Sequence, residues 1–115
     1  SRWHGSSAPL MEHVLDFGYG QPDCRVFNYW DEGYPVRPSN PEVKSLLLRR
    51  GDELLLVLCT WNGKPEEVAL ELDAEAIGLR PGVAVDEETG DDLALEGSRL
   101  TVQLEGYGVR LVRLR

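Results

Sequence analysis

The chain has 115 residues, which suits a single domain with one hydrophobic core. Its 20 acidic and 12 basic residues give a formal net charge of −8, so its surface repels phosphate groups, and neither nucleic acid nor an anionic membrane is expected as a partner. No apolar run approaches the roughly 20 residues that cross a bilayer, and 2 cysteines are too few for a disulfide-rich secreted scaffold.

The first segment with a regular pattern predicts a short helix over residues 9–17. Two candidate N-cap serines, Ser6 and Ser7, precede it, and Gly18 follows as a stop signal. Because the chain opens with neither an initiator methionine nor a signal-peptide layout, we expect a fragment of a longer protein, with residues 1–23 as a helical lead-in. Apolar residues recur at helical spacing and need a covering surface: Leu10, Val14 and Phe17, with Met11 and Leu15 beside them.

A strand-like run at residues 26–30 is followed by a loop that is rich in proline. Pro35, Pro38 and Pro41 fall within a span of seven positions. Because each proline removes a backbone donor and fixes its own φ, we expect residues 31–41 to form an ordered loop without regular strand pairing.

The middle of the chain predicts two hairpins. Residues 43–49 and 53–61 flank a turn at residues 50–52, in which Gly51 supplies a positive φ. Residues 62–65 then join residues 54–61 to an alternating strand at residues 66–72. Residues 54–59 are apolar without alternation, which predicts a central strand covered on one face by an opposing sheet and on the other by the N-terminal helix.

The last third of the chain continues the pattern of short strands. Residues 73–79 predict one helical turn, capped by Asp73 and closed by Gly78, and strands follow at residues 83–86, 99–104 and 107–114. The final run changes phase near Leu111, which indicates either a bulge or a strand with two buried faces. The sequence therefore predicts an all-β fold, an antiparallel β-sandwich of about seven to eight strands over residues 24–115 with a short N-terminal helix.

The sequence shows no catalytic constellation. The histidines, His4 and His13, lie in the lead-in outside any recognisable motif, so we expect solvated or packing roles and predict no catalytic residue, metal or cofactor. Cys24 and Cys59 lack metal-binding spacing, and whether they form a disulfide stays open. Five carboxylates crowd residues 86–92; the Thr-Gly pair among them favours an acidic hairpin tip, with a calcium site as the weaker alternative.

Aromatic residues crowd the proline-rich loop. Tyr29, Trp30 and Tyr34, with Asp31 beside them, are candidate carbohydrate contacts, because flat rings stack on sugar faces while polar groups bind hydroxyls. The alternative is that these rings plug the edge of the sandwich or pack against a neighbouring domain. Trp61, at the end of a buried strand, is expected in the core.

Several stretches together resemble one family. The runs FNYWD at residues 27–31, PV at 35–36, PEVK at 41–44 and LLVLCTWN at 55–62 resemble the C-terminal region of bacterial glycoside-hydrolase-like proteins related to glycoside hydrolase family 123. Residues 70–79, 86–90 and 108–114 are similar to the β-sandwich that closes many such enzymes after their (β/α)₈ barrel.

The resemblance implies a non-catalytic, structural accessory domain at the C-terminus of a larger glycoside-hydrolase-like protein. Its partner would be the preceding catalytic (β/α)₈ barrel of the same polypeptide, with residues 1–23 as the connector and residues 24–115 as the sandwich. The family's catalytic acids lie in the barrel, so none is carried onto this chain. The alternative function is a carbohydrate-binding module with an aromatic platform. An extracellular or periplasmic location is favoured for the parent protein, but the compartment stays open.

Overall fold

The computed structural model describes residues 8–61, 63–105 and 108–115, which fold into two antiparallel sheets with a helix on the outer side of one of them. The described residues contain nine strands, slightly more than the seven to eight predicted. The predicted β-sandwich with a short N-terminal helix is confirmed. The elements are α1 (Ala8–Phe17), β1 (Cys24–Asn28), β2 (Val36–Pro38), β3 (Lys44–Arg50), β4 (Glu53–Thr60), β5 (Glu66–Leu72), α2 (Ala74–Ile77), β6 (Ala84–Asp86), β7 (Ala94–Glu96), β8 (Arg99–Leu104) and β9 (Gly108–Leu114).

The two sheets enclose the main core. One sheet has five strands in the order β1-β3-β4-β9-β6, and the other has four in the order β2-β5-β8-β7. Alternation along each strand sends every second side chain between the sheets. We call this layer the inner core; its fully buried members include Leu47, Leu54, Leu56, Leu58, Val68, Leu70 and Leu100.

A second, smaller apolar layer lies on the outer face of the five-stranded sheet. There Val14 and Phe17 of α1 cover Leu55 and Val57 of β4, whose other apolar side chains belong to the inner core. The prediction of a central strand covered by the opposing sheet and by the N-terminal helix is therefore confirmed. We call this layer the outer core.

Strand β9 resolves the phase change seen in the sequence. Its pairing with β4 runs without interruption from Leu54 opposite Leu114 to Thr60 opposite Gly108, so this strand contains no bulge. Leu111 packs in the outer core, whereas Val112 and Leu114 pack in the inner core. The strand has two buried faces.

Helix α1 buries one side and exposes the other. Val14 and Phe17 are buried, whereas Met11 and Leu15 remain about half exposed, at 48% and 54%. Gly18 ends the helix with φ +125°, and a Cβ there would stand 2.6 Å from the Arg50 guanidinium. The proposed caps Ser6 and Ser7 and the side chain of Leu10 lie outside the described residues. Neither helix in the described residues is long and apolar enough to span a membrane.

The first predicted hairpin is confirmed and the second is wrong. Arg50 pairs with Glu53 around Gly51, whose φ of +60° is what a tight two-residue turn needs at that position. By contrast β4 and β5 belong to different sheets, so they do not pair as a hairpin. Both edges of β4 are already paired, with β3 and with β9, and β5 has no place beside it.

The proline-rich loop contains a strand that the sequence analysis excluded. Val36 pairs with Leu72 and Pro38 with Leu70, so β2 is an edge strand of the four-stranded sheet. Proline is tolerated at an edge because its missing donor would face away from the only neighbouring strand. Strand β7 at the opposite edge of that sheet was also not predicted.

The predicted single helical turn after β5 is confirmed as α2. The Asp73 carboxylate accepts a hydrogen bond from the Ala76 N–H at 3.1 Å, and Gly78 closes the turn with φ +82°. The turn places Ile77 fully in the inner core.

Candidate functional site

Helix α1 covers only part of the outer face of the five-stranded sheet. Leu48, Leu55 and Leu111 are buried in the outer core with the helix, whereas Leu46 and Cys59 are only half-buried. The strand register places Lys44 opposite Cys59 and Leu46 opposite Val57, so these side chains share one end of the face. An apolar floor is left open at that end.

A groove of about 390 Å³ lies over this floor. Its floor consists of Leu46, Val57 and Cys59, and Asn28 and Lys44 add polar groups to its sides. Four aromatic rings form its rim, and we call the whole site the aromatic groove; the rings belong to Tyr19, Tyr29, Trp30 and Trp61.

The rim rings are unusually open to solvent for their size. Trp30 is 69% exposed and Trp61 67%. The rings of Tyr29 and Trp30 meet edge to face, with centroids 5.0 Å apart and planes at 81°, a favourable arrangement for an aromatic pair. The prediction that Trp61 lies in the core is wrong, because alternation along β4 turns it outward with Cys59, where the helix does not reach.

Lys44 ties the groove to the loop beside it. Its ammonium lies 5.3 Å from the centre of the Tyr29 ring and donates a hydrogen bond to the Pro41 carbonyl at 2.9 Å. Burial raises the pKa of the Cys59 thiol in the floor. This thiol therefore stays protonated and uncharged near neutral pH.

The structure separates the four predicted carbohydrate contacts into two pairs. Tyr29 and Trp30 line the aromatic groove, whereas Asp31 and Tyr34 line a different recess beside Phe27 of the edge strand β1. Asp31 is exposed, and its carboxylate accepts a hydrogen bond from the Asn28 N–H at 3.2 Å.

Tyr34 packs against the inner core at the edge of the sandwich. Its hydroxyl lies 2.7 Å from the Ser45 hydroxyl, and burial raises its pKa to about 12 even though that hydrogen bond lowers it. A ring held in this way plugs the open edge between the layers, which is one of the two roles expected for this aromatic cluster.

Two rim residues were missed in the sequence. The outward positions of β4 continue from Leu55 through Val57 and Cys59 to Trp61, so an alternation count could have placed Trp61 on the outer face. Tyr19 lies in the turn after α1, where no periodic signal exists to predict its direction.

The acidic segment at residues 86–92 forms a hairpin tip, as the sequence favoured. Val85 bridges to Asp92, and the Gly90 N–H donates to the Asp86 carbonyl at 2.8 Å. The Asp86 side chain is buried beneath the tip. One oxygen accepts from the Glu88 and Thr89 N–H groups, both at 2.9 Å, and the other accepts from Arg110 Nε at 2.8 Å.

The partners of Asp86 keep it ionised. Burial by itself would raise its pKa, but the hydrogen bonds from the Thr89 N–H and from Arg110, with the charge of Arg110, lower it overall. Both oxygens are thus engaged by protein donors, which compete with any cation for them.

Glu87 on the same segment connects the sheet to helix α1. The Arg113 guanidinium donates to both of its oxygens and, with His13 of α1 at 3.7 Å, holds the pKa of Glu87 below its usual range. Arg113 also donates to Glu53 at 2.9 Å and stands over the Phe17 ring. These contacts give His13 a position beside an ion pair; His4 lies outside the described residues.

The register settles the question of the cysteines. Cys24 lies opposite Arg50 and Cys59 lies opposite Lys44, which stand six positions apart on β3. That spacing corresponds to about 20 Å, whereas a disulfide needs Cα atoms within about 7 Å. Both thiols are free. Among the described residues no group of three or more His, Cys, Asp or Glu side chains is placed to hold a metal ion.

Two solved glycosidases share the fold. A GH27 β-L-arabinopyranosidase from Geobacillus stearothermophilus superposes with a TM-score of 0.52 at 19% identity, over 70% of this chain and 19% of that one. A noncanonic maltogenic α-amylase, AmyB, from Thermotoga neapolitana superposes with a TM-score of 0.53 at 14% identity, over 95% of this chain and 26% of that one. The chain therefore spans about a fifth to a quarter of the solved proteins it matches.

A comparison by sequence gives the family. No curated protein matches the chain. The family described as "Glycoside hydrolase 123, C-terminal domain" matches residues 9–88, a span that starts within α1 and ends beyond β6, in the acidic hairpin tip. Because this match covers well over half of the 115 residues, the chain belongs to the family of C-terminal domains of glycoside hydrolase 123.

Proposed function

We propose that this chain is a non-catalytic, structural accessory domain that packs against a preceding catalytic (β/α)₈ barrel of the same polypeptide. The observation that carries the proposal is the family match, because a domain described as C-terminal in a glycoside hydrolase follows other parts of that enzyme. In this arrangement residues 1–23 connect the two domains and residues 24–115 form the accessory sandwich.

The arrangement of acidic residues supports a non-catalytic role. Glycoside cleavage in most families uses two carboxyl groups that face each other across the substrate. Asp86, which is buried, and Glu87, which is partly buried, are neighbours on one turn, and each is held by an arginine. Their carboxylates stabilise the fold by these contacts, which leaves the acid and base of the reaction to the preceding domain.

Helix α1 supplies a surface for the proposed packing. Met11 and Leu15 point away from the sheet and are about half exposed, on the element through which the chain enters the sandwich. Apolar side chains clustered on one exposed face are typical of an interface with another domain. We propose that the barrel covers this side of α1.

Activity measurements on the parent polypeptide and on this chain test the proposal. We expect the isolated chain to fold and to hydrolyse no aryl glycoside, while the parent polypeptide hydrolyses one or more of them. Met11→Ser with Leu15→Ser should leave the stability of the isolated chain nearly unchanged but lower the thermal midpoint of the parent. Val83→Ser, an exposed apolar residue away from α1, is the matched control.

Two outcomes would contradict this account. Hydrolysis by the isolated chain that survives purification to homogeneity would show that it carries its own catalytic groups. A parent polypeptide whose thermal midpoint is equally insensitive to the helix substitutions and to Val83→Ser would show that the barrel does not cover α1.

A further inference from the structure

We propose that the aromatic groove binds a neutral oligosaccharide, with Trp30 and Trp61 stacking on the apolar faces of its sugar rings. This function lies beyond the proposed packing against a catalytic domain. The ligand class rests on membership in a glycoside hydrolase family but not on that packing, so the two proposals fail independently of each other.

The rim of the groove has the geometry that sugar stacking requires. One face of a pyranose ring presents C–H groups with partial positive charge, which are attracted to the negative face of an aromatic ring. Trp30 and Trp61 each expose about two-thirds of their surface. One follows β1 and the other follows β4, and both line the same groove. The edge-to-face contact with Tyr29 favours one orientation of the Trp30 ring, which lowers the entropic cost of ordering it on binding.

Polar groups at the sides can bind hydroxyls. Asn28 lies opposite Leu46 in the sheet, so its side chain shares the outer face with the groove. Its amide offers both donors and an acceptor, which suits the mixed donor and acceptor character of sugar hydroxyls. A mostly apolar recess with a few polar groups is the usual composition of a small-ligand site.

The charge of the groove argues for a neutral ligand. The chain carries a net charge of −8, yet the described lining of the groove contains no carboxylate and a single charged residue, Lys44. The Lys44 ammonium is already engaged with the Pro41 carbonyl and with the Tyr29 ring. The groove therefore neither repels an uncharged ligand nor presents a charge that would favour an ionic one.

The size of the groove favours a small ligand over a protein partner. A volume of about 390 Å³ falls within the range of small-molecule sites. A stable protein interface needs about 800 Å² from each partner, arranged as a packed patch and not as a recess rimmed by separate rings. Part of the outer face beside the groove is already covered by α1.

Titration of the ¹⁵N-labelled chain with maltotetraose, cellotetraose and chitotetraose tests the proposal. The NMR signals of the Trp30 and Trp61 indole N–H groups are followed up to about 10 mM saccharide, which detects any dissociation constant near 1 mM. We expect at least one saccharide to shift both signals with a single dissociation constant. No shift with any of the three saccharides would overturn the proposal.

Variants define where the saccharide binds. Trp30→Ala and Trp61→Ala should each weaken binding by about fivefold to tenfold, the loss expected for one stacked ring. Val83→Ala is the control and should leave the affinity unchanged, because Val83 does not line the groove. Unaltered binding by both tryptophan variants, or an equal loss with Val83→Ala, would contradict the assignment.

The two free thiols provide an independent test. Cys59 lies in the floor of the groove, whereas Cys24 lies at the far end of the same face, about 20 Å away along β3. A bound saccharide should slow alkylation of Cys59 by iodoacetamide and leave the rate at Cys24 unchanged. Equal slowing at both thiols would contradict a saccharide site in the groove. So would a dimer of this chain that dissociates when Trp30 is replaced, because the groove would then bind a second copy of the chain.

Discussion

Asp86 organises the acidic hairpin tip from below. Its buried carboxylate accepts from two backbone N–H groups of the turn and from Arg110, so both of its oxygens have donors. The Thr89-Gly90 pair predicts the turn, but the sequence does not show which of the five acids in the segment is buried. Burial distinguishes Asp86, and burial depends on β9, more than twenty residues away.

Asp86→Asn should lower the free energy of unfolding by about 2–3 kcal/mol. An asparagine keeps one acceptor for the turn but places an amide N–H₂ group against the Arg110 guanidinium. Asp91→Asn, on the exposed side of the same tip, should change stability by less than about 0.5 kcal/mol. Urea unfolding measures both. Equal losses for the two variants would show that the exposed and buried acids contribute alike.

Acid should destabilise the fold through Asp86 and Glu87. The pKa values of both carboxyl groups are lowered in the folded chain, so their stabilisation is complete above the unfolded pKa values near 4 and is lost as the pH falls through the lower folded values. We expect the urea midpoint to fall steeply below about pH 4. The double variant Asp86→Asn with Glu87→Gln should show a shallower slope there, and an unchanged slope would contradict this origin.

Helix α1 shows how one element serves two surfaces. Phe17 packs on the sheet and receives the Arg113 guanidinium over its ring, while Arg50 donates to its carbonyl at the end of the helix. Leu15 lies two positions earlier and faces away. The sequence predicted the helix and its apolar stripe, but the stripe is wider than the surface that the sandwich offers.

Phe17→Ala should lower the free energy of unfolding by about 3 kcal/mol, because it removes a buried ring and leaves a cavity. Leu15→Ala should cost less than about 0.5 kcal/mol in the isolated chain. Thermal and urea unfolding of both variants measure the difference. Similar costs at the two positions would contradict the orientation of α1.

Local signals in the sequence predicted most elements but not all of their partners. Capping at Asp73, the turn at Gly51 and the apolar run of β4 depend on neighbours in the chain, and each prediction is confirmed. The placement of β5 in the other sheet depends on β3 and β9 already occupying both edges of β4. The edge strand β2 was missed for the same reason, since proline is tolerated there only because of where β2 lies in its sheet.

The residues of the candidate site were also predicted only in part, because some of their contacts depend on distant parts of the chain. Tyr29 and Trp30 were predicted as aromatic contacts and line the groove, but Tyr34, only five positions after Tyr29, turns into the sandwich edge to meet Ser45. Trp61 reaches the groove from the position just after β4. A site assembled from separate strands on one face of a sheet is set by pairing and register, which composition does not reveal.

In the whole molecule, the exposed apolar side chains lie mostly on one side of the sandwich. Among the side chains that the structure describes, six of the seven large exposed apolar ones belong to α1 or to the rim of the aromatic groove, on the outer side of the five-stranded sheet. We propose that this C-terminal domain packs against a preceding domain through the α1 side of this face.

Hydrogen–deuterium exchange of this chain, alone and within its parent polypeptide, measures that packing most directly. We expect the peptides of α1 to exchange more slowly in the parent, while the edge strand β7 exchanges at the same rate in both. Equal exchange of α1 in the two contexts would contradict the claim, because a helix covered by a second domain cannot open as freely as one that faces solvent.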